Sequence, residues 1–211
     1  HRPIRAITAS WRSSAAIAAR QARFACAVKR LYAPAQLVRV LTHPENVAPI
    51  ITARPELMVD ELTPQTLKAA LEWAEVVAIG PGLGQNEWGR SALRMVERVN
   101  KPMVWDADAL NLLAFNPDKR HNRVLTPHPG EAARLLNVSV AEIESDRLLS
   151  AQRLVKRYGG VVVLKGAGTV VASERGAMGI IDAAMRDGQR RHGRCAHWHH
   201  RRIVRTAPDA V

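Results

Sequence analysis

The sequence predicts a three-layer α/β sandwich with a mainly parallel central sheet. Three observations carry this. Strand-like runs such as "VVAI" and "VVVL" are apolar throughout rather than alternating, as strands covered on both faces must be. Segments of helical period follow these runs, giving the strand-helix-strand order of a parallel sheet. The stretches rich in Gly, Pro and Asp fall just after strands, where ligands bind in such sheets. At 211 residues, 47% of them apolar, the chain can bury the core of one domain.

Each element follows in order from residue 37. "LVRVLT" (37–42) reads as a buried strand and "HPENVAPIITARPE" as a turn-rich connection. "TPQTLKAALEWAE" reads as a helix with Thr63 at the N-cap and Pro64 in the first turn. "VVAIGPGLG" is a strand entering a glycine loop, and "EWGRSALRMVERVN" the amphipathic helix after it. "KPMVWDADALNLLAF" and "NRVLTPHPGEAARLLN" each repeat strand, polar turn and helix. "SDRLLSAQRLVKRYGGVVVLKGAGTVVA" supplies a further helix and a hairpin-like pair of strands around "KGAG".

Charge divides the chain differently. Residues 37–182 carry 17 Lys/Arg against 17 Asp/Glu, whereas 1–36 add seven basic residues and no acid, and 183–211 add seven against two acids. The whole excess of +12 therefore lies in the two ends, and a neutral middle gives nucleic acid no platform. No run reaches the roughly 18 apolar residues of a membrane span. Cys26 and Cys195 lack partners at metal-ligand spacing and form no disulfide framework, so a reducing, cytoplasmic setting fits.

Four loops could carry chemistry. "GPGLG" places Gly80, Gly82 and Gly84 where backbone amides can approach an anion, although a tight turn explains a lone glycine loop as well. Asp106 and Asp108 of "WDADALN" are either helix caps or a pair of acids near a cation or a substrate hydroxyl. His128 of "TPHPGE" is held between two prolines and could donate to a ligand, or could be an ordinary loop histidine. "LKGAGT" joins Lys165 to two glycines, which suits phosphate, with a plain hairpin turn as the alternative.

Together "VAIGPGLG", "DADALN", "TPHPGEAARLL" and "VLKGAGTVV", in this order and spacing, resemble the ribokinase-like NAD(P)H-hydrate dehydratases over residues 37–182. The resemblance implies a ribokinase-like sandwich, incomplete at both ends of this chain. It implies a lyase that uses ADP, or ATP in some lineages, to dehydrate hydrated NADH and NADPH, with Mg2+ a candidate companion. Gly80, Gly82, Gly84, Asp106, Asp108 and His128 would serve that substrate; Lys165, Gly166, Ala167, Gly168 and Thr169 would hold the nucleotide phosphates. The partner expected is the small-molecule hydrate, with neither nucleic acid nor membrane; a homo-oligomer stays open. An epimerase domain upstream is expected in the intact protein, and the missing initiator Met agrees with a fragment. A ribokinase-like small-molecule kinase is the alternative enzyme, disfavoured because "TPHPGE" directly follows "DADALN".

The family pattern also has a glycine-rich first strand and a closing "GGMGD" loop, whose amides form an anion hole and whose Asp is the expected general acid/base. This chain has neither string, so no catalytic residue is retained; Asp187 does not replace that Asp because no glycine turn precedes it. A one-base shift of reading frame across 187–205 can give MASGGMGDVLTGIIGGLF, and the opposite shift across 17–36 can give HRGTAGAIRLRGEAALRTGAG. Both flanks are therefore expected to be out-of-frame translation. Rival readings are a transit peptide at the N-terminus, a zinc site in "RCAHWHH" and a basic nucleic-acid-binding module. The first does not explain the matching C-terminal flank, and the second lacks a second ligand pair.

Overall fold

Strands that are apolar throughout need neighbours along both edges. In the computed structural model, which describes residues 5–9, 16–19, 37–166, 168–176, 178–181 and 204–205, they have them. The chain divides into two units, His1–Asn116 and Pro117–Val211.

Among the described residues, the first unit has five strands: β1 (Arg5–Ala9), β2 (Leu37–Thr42), β3 (Met58–Glu61), β4 (Val76–Ile79) and β5 (Met103–Trp105). Their order is β5-β4-β1-β2-β3 and every pairing is parallel. The first strand of the fold, expected to be missing, is present. Arg5–Ala9 takes the central position, in register with β2 (Ile7 opposite Arg39) and β4 (Ile7 opposite Val77). Ala6, Ile7, Thr8 and Ala9 are all buried, so short uncharged side chains suffice there even though the surrounding flank is basic. The segments 17–36 and 187–205, expected to be out-of-frame translation, fall almost wholly outside the described residues, as do Cys26, Cys195 and the "RCAHWHH" histidines.

Among the described residues of this unit, a helical stretch at 16–19 precedes α1 (Pro44–Ala53), α2 (Pro64–Trp73), α3 (Glu87–Glu97) and α4 (Asp108–Phe115). The connection read as turn-rich is therefore a helix, α1. Its Pro44 lies in the first turn, where a missing N–H costs nothing, and Pro49 is tolerated inside it. The buried Ile50 holds α1 to the core, and the buried Asn46 amide donates to Thr42 Oγ1 at 3.2 Å. Thr63 caps α2 as expected, in a reciprocal arrangement with Thr66. Asn86 caps α3 through Gly89 N–H.

The second unit pairs β6 (Arg123–Leu125) in parallel with β7 (Val161–Leu164). β8 (Thr169–Ser173), β9 (Met178–Ile181) and the two-residue β10 (Val204–Arg205) follow antiparallel, so the strands around "KGAG" do form a hairpin. Its helices are α5 (Pro129–Leu136), α6 (Val140–Ser145) and α7 (Arg147–Tyr158). Behind them lies a fully buried Arg123, whose Nη1 meets Asp118 Oδ1 at 2.8 Å and whose Nη2 donates to the Asp118 and Tyr158 carbonyls. Gly159 and Gly160 make room for this packing: a Cβ at Gly160 would stand 2.2 Å from the Arg123 carbonyl oxygen.

Candidate functional site

In the first unit the glycine loop leaves β4 and folds against the start of α4. Gly80 has φ +131, and a Cβ on it would lie 1.6 Å from the Asp106 carbonyl oxygen, so only glycine fits. Leu83 N–H donates to Gly80 O at 3.0 Å and closes the turn. Gly84 N–H donates to Asp108 Oδ2 at 2.9 Å, and Gln85 Nε2 reaches Asp108 Oδ1 at 3.5 Å. Two of the loop's amides, those of Leu83 and Gly84, are therefore already engaged, the second with a carboxylate. Asp108 is the first residue of α4 rather than its cap, and the N-cap is Ala107, which makes no side-chain bond. Asp108 instead ties the glycine loop to the helix. Ala107 sits at φ 48, ψ −117, a region that costs a non-glycine residue strain. Asp106, part-buried just after β5, donates from its N–H to Ile79 O at 3.1 Å and sets its carbonyl against Gly80.

In the second unit His128 is the N-cap of α5, with Pro129 in the first turn. Its Nδ1 accepts from Gly130 N–H at 3.0 Å and Glu131 N–H at 3.3 Å, while Glu131 Oε2 accepts from His128 N–H at 2.8 Å. Because Nδ1 is the acceptor, the neutral ring carries its proton on Nε2, 3.4 Å from Glu131 Oε1. The imidazole is half exposed and Glu131 is buried. His128 is thus a structural cap, and its half-exposed ring has Nε2 nearest the Glu131 carboxylate.

The Lys165–Thr169 turn lies at the tip of the β7–β8 hairpin, with Gly166 at φ +149 and Gly168 at φ +69; Ala167 lies outside the described residues. Lys165 N–H donates to Pro127 O at 2.8 Å, which fastens this turn to the His128 loop. The two loops of this unit therefore share one anchor. Arg147, at the start of α7, donates from Nη2 to Leu164 O at 3.1 Å and Lys165 O at 3.0 Å. It is a functional candidate that the sequence reading passed over, since "SDRL" looked only like a helix start. Glu131 was legible as three residues after an N-cap, the spacing of a capping box.

The arrangement in this unit is a glycine turn with a lysine and a close arginine, chemistry suited to phosphate oxygens. Among the described residues no group of three metal-ligating side chains occurs, and no helix is long and apolar enough to cross a membrane.

The family model described as NAD(P)H-hydrate dehydratase matches residues 18–193. The chain belongs to the NAD(P)H-hydrate dehydratase family. The bifunctional NAD(P)H-hydrate repair enzyme of Escherichia coli is 74% identical over 153 residues, covering 72% of this chain and 30% of that protein. The ADP-dependent (S)-NAD(P)H-hydrate dehydratase of Neisseria meningitidis is 39% identical over 130 residues, 59% of this chain and 44% of its own length. This chain thus spans about a third of the bifunctional family members it matches. Among solved structures, the ADP/ATP-dependent NAD(P)H-hydrate dehydratase of Bacillus subtilis, co-crystallized with ATP/Mg2+, aligns with TM-score 0.66 at 26% identity over 84% of this chain and 64% of that one. The pyridoxal kinase of Staphylococcus aureus, with TM-score 0.50 and 14% identity over 87% of this chain and 70% of that one, shares the ribokinase-like fold alone. The family match extends beyond residues 37–182 on both sides.

Proposed function

We propose that the core of this chain is that of a nucleotide-dependent lyase, which removes water from hydrated NADH or NADPH with ADP or ATP as co-substrate. The Lys165–Thr169 turn carries the reading: a lysine and two glycines of positive φ at a hairpin tip, in a chain of this family. The nucleotide, when bound, supplies the phosphoanhydride whose cleavage drives the loss of water. Lys165 would neutralise phosphate charge, and the glycine backbone of Gly166 and Gly168 would let oxygens approach the amides. Gly80, Gly82 and Gly84, with Asp106 nearby, would shape the contact with the hydrate. Asp108 holds that loop, and His128 would donate from Nε2 to a substrate oxygen. Mg2+ would accompany the phosphates.

We assign this polypeptide little turnover. The "GGMGD" acid and its amides are not in the sequence, and general acid/base groups typically contribute 10²–10⁴ in rate. Residues 17–36 and 187–205 are read as out-of-frame translation, with an epimerase domain preceding the core in the intact protein and a cytoplasmic location. Recovery of NADH absorbance from the hydrate on adding ADP tests this, on the chain as written and on a version with both frames restored. The expected outcome is slow or absent recovery in the first and brisk recovery in the second. A restored chain that phosphorylates vitamin precursors with ATP and ignores the hydrate would overturn the lyase reading. Normal turnover by the chain as written would overturn the impairment.

A further inference from the structure

The turn that would hold phosphate is not self-supporting. A phosphate cradle needs amide N–H groups turned toward the ligand and carbonyl oxygens turned away, because the latter repel an anion. In the Lys165–Thr169 turn, the two carbonyls that precede Gly166 are both taken by one side chain. Arg147 Nη2 donates to Leu164 O at 3.1 Å and to Lys165 O at 3.0 Å. The guanidinium also lies flat against the next residue, since a Cβ on Gly166 would meet Nη2 at 2.6 Å, Cζ at 2.8 Å and Nη1 at 3.0 Å. Arg147 can hold this position because it opens α7, whose N-cap Asp146 accepts from Leu149 N–H at 2.9 Å, and because its side chain is only 13% exposed.

In a trans peptide the C=O and N–H point in opposite directions. With Lys165 O drawn to Arg147, the Gly166 N–H of the same peptide unit points away from the guanidinium, and Gly166 is exposed. The Leu164–Lys165 peptide shows the same logic, its carbonyl on Arg147 and its N–H on Pro127 O at 2.8 Å.

We propose that Arg147 is a positioning residue for the nucleotide, orienting the Lys165–Gly166 peptide so that its amide can meet a phosphate oxygen, with a permanent positive charge behind the turn. This rests on the reading of Lys165–Thr169 as the phosphate-holding turn. It also explains why Gly166 must lack a side chain: any Cβ would displace the guanidinium.

The test uses the full chain and two readouts, ADP titration by calorimetry and amide hydrogen exchange of the unliganded turn. Arg147→Ala is expected to weaken ADP binding about tenfold or more, the scale of losing bonds to a charged donor, and to speed exchange at residues 165–169 selectively. Arg147→Lys should recover part of the affinity, because a compact ammonium cannot span two carbonyls as a planar fork does. Gly166→Ala should cost clearly less in the Arg147→Ala background than in the wild type, the coupling expected of two groups in contact. Wild-type affinity in Arg147→Ala with unchanged exchange at the turn would overturn the positioning role alone. If Arg147→Ala fails to fold, Arg147→Lys and Gly166→Ala carry the decision, and wild-type ADP affinity in both overturns it. Failure of the wild-type chain to bind ADP at all would overturn the nucleotide reading and this inference with it.

Discussion

Ala107 occupies the kind of backbone position that proteins normally give to glycine. At φ 48 and ψ −117 it stands between two aspartates, where it turns β5 into α4 and lets Asp108 reach Gly84 N–H. Such strain costs on the order of 1–3 kcal/mol. Ala107→Gly should therefore raise the unfolding free energy by about 1 kcal/mol in urea titrations, with an unchanged dependence on denaturant. Gly80→Ala should do the reverse and more, because its Cβ would collide with the Asp106 carbonyl rather than with a movable side chain. A Gly80→Ala protein as stable as wild type would show that the glycine loop does not pack on α4 as described. The glycines of this loop were legible in the sequence, but the duty of Asp108 was not. A carboxylate that accepts from an amide 24 residues earlier leaves no local signature.

At the scale of elements, α5 is tied down at its start by one side chain, for which a second duty toward the ligand is proposed. His128 Nδ1 satisfies two of the N-terminal N–H groups of this helix, and Glu131 returns a bond to His128 N–H. His128→Ala should cost about 1 kcal/mol of stability as a lost cap. His128→Asn should keep most of that stability, since asparagine is a strong N-cap, while removing the Nε2 donor. In the frame-restored protein, a melting temperature near wild type with lowered turnover of the hydrate would separate the two duties. Unchanged turnover in His128→Asn would leave His128 a cap alone. The helix α1 makes the converse point, because its two prolines read as a loop in sequence. Its identity was decided by where they fall, one in the first turn, and by Ile50 and Asn46 being buried against the sheet.

For the molecule as a whole, stability in the second unit leans on one internal ion pair. Arg123 is fully buried, and burial works to raise the Asp118 carboxyl; the hydrogen bonds and charges of Arg120 and Arg123 outweigh it and bring the group below its usual range. A carboxyl depressed in the folded state contributes stability that is present above its unfolded value and lost as pH falls through the folded one. Asp118→Ala should thus cost about 3 kcal/mol at neutral pH, the lower end for stranding a buried charge, because Asp118 itself is 35% exposed. The difference from wild type should begin to shrink as pH falls below about 4, the unfolded value, and vanish once the depressed folded carboxyl is itself protonated. Melting temperatures across pH 2–7 for the two proteins check this, and a constant difference would show that Asp118 acts by packing rather than charge.

The sequence by itself determined the class of fold, the loops after β4, β5, β6 and β7, and membership of the family, because strand apolarity, helical period and loop glycines are local properties. It also carries the loss of the "GGMGD" string, which no folding can restore. Tertiary structure alone decided that Arg5–Ala9 becomes the central strand of its unit, since pairing with β2 and β4 depends on their edges as much as on its own residues. It alone decided that Arg147 binds the carbonyls of Leu164 and Lys165 and that Asp108 braces the glycine loop. Contacts between residues 17 to 24 positions apart depend on where the chain returns, and that is set by packing rather than by any local pattern.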